Sequence, residues 1–503
     1  MKVPRNAAEP EESLDPQDWE ELRALGHQMV DDMLAYLRHV RERPAWQPMP
    51  AKVRAAFQAP LPRAPQKPID VYQDFQENVL PYPTGNIHPR FWGWVIGTGT
   101  PFGMLAELLA AGMNPNCGGF DQSSTLVEHQ VINWMKEMLG YPAEASGLLV
   151  NGGSMANLVG LAVGRRAKAE LDVQKQGLQS VSRRMTLYSS EETHSSILKA
   201  VEILGLGSES LRHVAVRDDY SVSLDALVAA IEADRNAGLH PFCVIGNAGT
   251  INTGACDDLE RLADLCEREN LWLHVDGAFG ALAALSPRHK SKVKGMERAD
   301  SLAFDLHKWM YMPYDVGCTL VRNEAIHRET FSLVPSYLAP AERGISAGPT
   351  PFNAYGVELS RNFKALKVWM SLKEHGVDKY ARLIEQNVDQ ACYLAQLVES
   401  SHDLELVAPV PLNVVCFRFV SPRLEERALN RLNGELLIRL QESGTAVVGS
   451  TMLRGKYCLR AAITNHRSRR EDFDLLTREV IALGRALLGE GFVGAEAPAQ
   501  GRP

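Results

Sequence analysis

Of the eight cysteines in this chain of 503 residues, no two stand as C-x-x-C. Neither a zinc site nor a redox dithiol is suggested, no metal is expected, and a reducing compartment fits best. No apolar run reaches the length of about 18 residues needed to span a bilayer, and the opening MKVPRNAAEPEESLDP lacks the apolar stretch of a secretory signal. A cytoplasmic protein is expected. No Lys/Arg-rich run stands out, and the formal net charge is −8. A nucleic acid or an anionic membrane therefore finds no docking surface, and a small-molecule partner is expected.

What is present is ordinary globular composition, 45% hydrophobic and 23% charged, which rules out disordered, collagenous and disulfide-scaffold classes. A chain of this length allows about three domains as a prior. Residues 1–85 read as an N-terminal helical arm. Asp15 with Pro16 is the expected helix start. Leu22, Leu25, Met29, Val30, Met33 and Leu37 then recur at helical spacing, before prolines 44, 48, 50, 60, 62, 65 and 68 break regular structure into an extended arm. The exposed stripe calls for a partner, a second copy of the chain. Residues 86–385 alternate short β-rich runs with helical stretches, as βαβ units do. Expected strands are 147–150, 185–188, 242–246, 271–275 and 301–306. Residues 386–490 read as a small α+β domain and 491–503 as a tail.

Ligands of open α/β sheets sit beyond the carboxyl ends of the strands, so the polar residues ending each strand are the ones to collect. Asn151-Gly152-Gly153-Ser154 turns into a helix whose N-terminus offers N–H donors and a positive dipole end to a phosphate. Taken singly it is a Gly-rich turn with Ser154 as a helix cap. The P-loop is excluded because no Gly-Lys-Ser/Thr follows. Strand 271–275 ends in Asp276-Gly277-Ala278, where a lone Asp is equally a loop cap. Strand 301–306 leads into His307-Lys308-Trp309, where a lysine is partly desolvated and suited to nucleophilic use. An anion cradle, a carboxylate to keep a pyridine nitrogen protonated and a lysine to bond an aldehyde are together what pyridoxal 5'-phosphate requires. His194 follows strand 185–188 and suits stacking on the cofactor ring; alone it is an ordinary hydrogen-bonded histidine.

These motifs resemble the fold-type-I, pyridoxal-phosphate-dependent group II amino-acid decarboxylases, especially the aromatic-L-amino-acid decarboxylase branch. The resemblance also runs through His88-Pro89-Arg90-Phe91, Thr193-His194-Ser195-Ser196, Gly249 to Ala255, Leu459-Arg460 and Asn465-His466-Arg467. It implies an α/β fold with a mostly parallel seven-stranded sheet. It implies Lys308 as the cofactor-bonding lysine, Asp276 as the pyridinium partner and His194 as the stacked histidine. Gly153 and Ser154 become phosphate donors, Thr250 and Ala278 line the cofactor, and His307 contacts it beside the lysine. A homodimer with the active site near its interface follows too.

Residues 330–352 have no helical or strand period and read as a lid. Its Tyr337, in Pro335-Ser336-Tyr337-Leu338, matches the family's loop tyrosine and is suited to protonate the α-carbon once carbon dioxide has left. The expected function is decarboxylation of an L-amino acid, aromatic by resemblance, to its amine. An aldehyde synthase, an aminotransferase and an acidic amino-acid decarboxylase are the same-fold alternatives. A non-catalytic scaffold has no need for Lys308, Asp276 and His194 together. The chain departs from the family at Asp305, where animal enzymes carry a phosphate-binding Asn, and around Phe91, Trp92 and Trp94 in the expected substrate wall. Ser360 matches a position that influences side-chain selection and leans toward phenolic or imidazole substrates over indole.

Overall fold

The computed structural model describes residues 12–333 and 342–490; Tyr337 lies outside them. The first helix is Trp19–Arg38, and its cap is Asp18 rather than the expected Asp15. One Asp18 carboxylate oxygen accepts from the amides of Glu20 and Glu21 at 2.9 and 3.0 Å. Two of the orphan N–H groups of the first turn are thereby satisfied, and Pro16 stays outside the helix. No residue of this helix is buried. The proline-rich stretch is not wholly extended, since short helices form at Ala51–Ala56 and Pro68–Asp74, the latter with Pro68 at its start. The arm closes on itself where Tyr72 Oη and Gln76 Nε2 donate to Asp32 at 2.8 and 3.0 Å.

Among the described residues twelve strands form two sheets: β1 (Phe91–Trp92), β2 (Ser146–Val150), β3 (Met185–Ser190), β4 (Leu211–Val214), β5 (His240–Asn247), β6 (Trp272–Asp276), β7 (Ser301–Asp305), β8 (Gly317–Val321), β9 (Leu404–Leu406), β10 (Val414–Phe419), β11 (Val447–Leu453) and β12 (Lys456–Ala462). The larger sheet runs β2-β8-β7-β6-β5-β3-β4. All its pairings are parallel except those of β8 with β2 and β7. β3, β6 and β7 are buried at every position, as apolar strands covered by helices on both faces must be. The covering helices carry the expected amphipathic pattern. Leu259–Arg268, capped by Asp258, buries Leu259, Leu262, Ala263, Leu265 and Cys266.

The smaller sheet runs β1-β11-β12-β10-β9. Its β1 comes from a stretch whose sequence position suggested the large unit. Phe91 and Trp92 pair in parallel with Val447 and Val448. Trp92 is buried, stacks on Phe473 at 4.7 Å and donates to Ser468 Oγ at 2.9 Å. Phe91 packs with Ala45 and Val447. Trp92 therefore belongs to the core under the small sheet and Phe91 to a separate cluster shared with the arm, neither to a substrate wall; of the three, only Trp94 is open to solvent. Helix Val377–Glu399 runs through the expected division at residue 385. No helix among the described residues is long and apolar enough to cross a membrane.

Candidate active site

Parallel strands β3, β5, β6 and β7 deliver their carboxyl ends to one edge of the sheet. Asn247 and Asp276 are register partners there, and Asp276 pairs with Ala303, two residues before Asp305. The expected site residues thus gather because parallel register puts equivalent strand ends side by side.

A residue without any motif signal organises them. Asn157, one turn into the helix Gly153–Lys168, donates through Nδ2 to Asp276 Oδ2 and to Ser196 Oγ, both at 3.0 Å. With the amide nitrogen so committed, Asn157 Oδ1 must accept from His274 Nε2 at 2.9 Å. His274 Nδ1 then accepts from Ser301 Oγ at 2.8 Å, and that hydroxyl oxygen accepts from the Trp272 indole at 2.8 Å. Every proton in this chain has one direction. Burial holds His274 neutral, lowering its pKa to about 3. Asp276 Oδ1 accepts from the Ala278 amide at 3.1 Å. The carboxylate is therefore fixed by hydrogen bonds to both oxygens, with lone pairs left for a further donor.

The tautomer of His194 is fixed as well. Its Nδ1 lies 3.1 Å from the Ser196 amide, which can only donate, and 2.8 Å from Ser196 Oγ. Nδ1 is therefore an acceptor, and the neutral ring carries its proton on Nε2. Desolvation in the cleft lowers the His194 pKa, with Asp276 opposing and Lys308 adding to the shift.

Lys308 sits in the short helix Leu306–Trp309 directly after β7, its Nζ 3.0 Å from Asp305 Oδ2. His307 Nε2 is 3.9 Å from the same oxygen, and its ring packs against Tyr314 at 4.2 Å. Burial lowers the His307 pKa, against the pull of Asp305. Gly152 caps the Gly153–Lys168 helix at φ +106°, a backbone state in which side chains are strained. The first amides of that helix, those of Gly153 and Ser154, have no intrahelical acceptor. A Cβ on Gly152 would meet the His307 ring at 3.3 Å, so the helix start and the lysine helix share one space. A Cβ on Gly97 would run into the His307 carbonyl oxygen; only a glycine lets the 97–100 loop approach the Lys308 helix so closely.

Thr250 is buried in the loop after β5, where its Oγ1 lies 3.0 Å from Thr253 Oγ1 and accepts from the Ala255 amide. A Cβ on Gly249 would contact Phe279, so this loop rests on the one that follows Asp276. The small sheet grips it from the other side. Arg460 donates to the Ile251 carbonyl, and Thr451 Oγ1 donates to Asn252 Oδ1 at 2.9 Å. Asn465, His466 and Arg467 reach the carbonyls of His88, Thr98 and Gly99. Arg361, beside Ser360, is spent on Glu128 and on the carbonyls of Cys117 and Leu149, so it is no free guanidinium for a substrate. Asn157, Ser196, His274 and Gly97 were invisible as site residues in the sequence. Their only traces were the polar His and Asn on otherwise apolar elements and the place of Ser196 in the Thr193-His194-Ser195-Ser196 block.

A lysine amine, a hydrogen-bonded carboxylate, a histidine with its Nε2 proton available and a glycine-opened helix N-terminus fit pyridoxal phosphate: aldehyde, pyridine nitrogen, ring face and phosphate each find a counterpart. Comparison with known proteins agrees. The model for the pyridoxal-dependent decarboxylase conserved domain matches residues 50–420. An aromatic-L-amino-acid decarboxylase of Bacillus atrophaeus is 35% identical over 92% of this chain and 95% of its own. A phenylacetaldehyde synthase of Arabidopsis thaliana is 29% identical over 90% of this chain and 93% of its own. The crystal structure of Oryza sativa TDC with PLP and tryptamine superposes with a TM-score of 0.87 at 25% identity, covering 94% of this chain and 100% of that one. Site geometry, sequence match and fold converge, and the chain belongs to the pyridoxal-dependent decarboxylases, α/β proteins of fold type I.

Proposed function

We propose that this protein is a carboxy-lyase that converts an aromatic L-amino acid to its amine and carbon dioxide, working as a cytoplasmic homodimer. The observation that carries the reading is the Asn157 amide, which ties Asp276 to Ser196 and through it to His194, with Lys308 alongside. When bound, pyridoxal phosphate supplies a ring that takes up the electron pair left as the carboxylate bond breaks. Lys308 offers the amine that bonds the cofactor aldehyde. Asp276 keeps a proton on the pyridine nitrogen, and an ordered carboxylate does this without reorganising. His194, its proton held on Nε2, would stack on the ring. Gly153 and Ser154 present amides to the phosphate, while Thr250, Ala278 and His307 line the cofactor. Tyr337 protonates the α-carbon.

Self-association is supported by exposed apolar surface. Leu108, Leu109 and Met113 of helix Pro101–Met113 are 57, 52 and 57% exposed, a cluster that a monomer rarely leaves in water. The aldehyde synthase reading is kept as a second because a synthase stands among the relatives. Amine, carbon dioxide and aldehyde measured with Tyr, Dopa, Trp, Phe, His, Glu and Asp decide between them. Amine from an aromatic substrate is expected; aldehyde with peroxide, or turnover of Glu or Asp alone, overturns the reading.

A further inference from the structure

Asp305 is a buried carboxylate, 1% exposed, in the wall of the anion cradle. It ends β7 opposite Gly317, and Gly317 is also the register partner of Val150 in β2, just before the cradle turn. A Cβ on Gly317 would lie 2.7 Å from both Asp305 Oδ1 and Gly152 Cα, and one on Gly153 would lie 2.8 Å from Asp305 Oδ2. Three glycines thus make the space in which this carboxylate meets the start of the Gly153–Lys168 helix. Its Oδ2 is paired with Lys308 at 3.0 Å, whereas Oδ1 has no hydrogen-bond partner among the described residues. A buried oxygen without a donor is costly, and it is seldom retained without a use.

We infer that Asp305 is a built-in anion that competes with the cofactor's phosphate for the field of this helix N-terminus, so that the chain holds phosphate esters more weakly than its cradle allows. The inference rests on the cofactor reading above. The helix end and the Lys308 ammonium attract any anion. The carboxylate already uses part of that attraction, and a phosphate entering beside it adds a like charge at short range where water cannot screen it well. Asn at this position keeps the shape, removes the charge and supplies an N–H donor. Asp305 is in this sense a positioning and affinity-setting residue, not a reacting group.

Pyridoxine 5'-phosphate and pyridoxine separate this effect from any change at Lys308, because neither has an aldehyde to bond the amine. Titration calorimetry on the full chain, freed of cofactor, is expected to show Asp305→Asn binding pyridoxine 5'-phosphate about ten-fold more tightly than wild type, equivalent to about 1.4 kcal/mol, with pyridoxine changed less than about two-fold. Asp305→Ser, smaller and also uncharged, is expected to shift the phosphate ester in the same direction. Equal shifts for both ligands would mean that Asp305 acts only on the rest of the site. An unchanged or weakened phosphate ester in both folded variants would likewise overturn the inference. A wild-type chain that fails to bind pyridoxal phosphate at all would instead overturn the functional reading.

Discussion

Asn157 Nδ2 stands 3.0 Å from Asp276 Oδ2, and the oxygen of the same amide accepts a hydrogen bond from Nε2–H of the buried His274. One amide therefore orients the carboxylate and closes a chain of hydrogen bonds that reaches Trp272. Removing it as Asn157→Ala leaves His274 Nε2–H and part of Asp276 unsatisfied, a cost of about 1–3 kcal/mol. Asn157→Asp adds a like charge beside Asp276 and should move the acid limb of the pH–rate profile upward. Urea unfolding of the first and kcat against pH for the second test the two halves of this statement.

Lys308→Ala should abolish borohydride-stable attachment of the cofactor while phosphate-dependent binding persists. In the wild type, peptide mapping after reduction should find the pyridoxyl group on Lys308 and on no other lysine.

Replacing Tyr337 by Phe keeps the ring and deletes the proton donor, so KM should change little while product shifts from amine toward aldehyde, ammonia and peroxide. An unchanged amine yield with no aldehyde would transfer the proton-donor role to another group, such as His194 through its Nε2–H.

Acid should destabilise the fold well before its carboxylates titrate. Burial lowers the pKa of His274 to about 3 and those of His88 and His327 to about 4, against an ordinary 6.5. The unfolded chain therefore binds protons first as pH falls. Their contribution to stability is complete above about pH 7 and is lost progressively from pH 6.5 down to the folded values of about 4 and, for His274, about 3. The urea midpoint should drop steeply over this window, and less so in His274→Gln.

At Gly97 even one methyl group should be felt. Gly97→Ala forces the added carbon into the His307 carbonyl, and about 3 kcal/mol of stability, the upper end of an overpacking cost, should be lost. The melting temperature and the absorbance of bound cofactor should fall together.

Strand ends with a consistent chemistry were legible because parallel strands place their termini on one edge whatever the loops do, and Asp276 and Lys308 stood out as charges after apolar runs. Asn157 did not, because an Asn within a helix carries no sign of which neighbour its amide will meet across 119 residues of sequence. Asp15 lost the helix start to Asp18 for a local reason, since only the latter reaches the first free amides. Phe91 and Trp92 were misread as pocket wall because two aromatic residues look alike in a sequence whether they face a ligand or a strand 356 positions later, a pairing that depends on the whole fold.

The bond from Arg90 Nε to the Thr445 carbonyl, joining residues 355 positions apart, also sets a timetable. The loop that touches the Lys308 helix is moored to the small sheet at β1, so its anchor does not exist until the ribosome has passed residue 448. At about 5–20 residues per second, the 127 residues from the end of β8 at Val321 to residue 448 keep the nascent large sheet waiting roughly 6–25 s with its cofactor cleft unfinished. The complete cleft therefore forms only once β11 has been made and paired with β1.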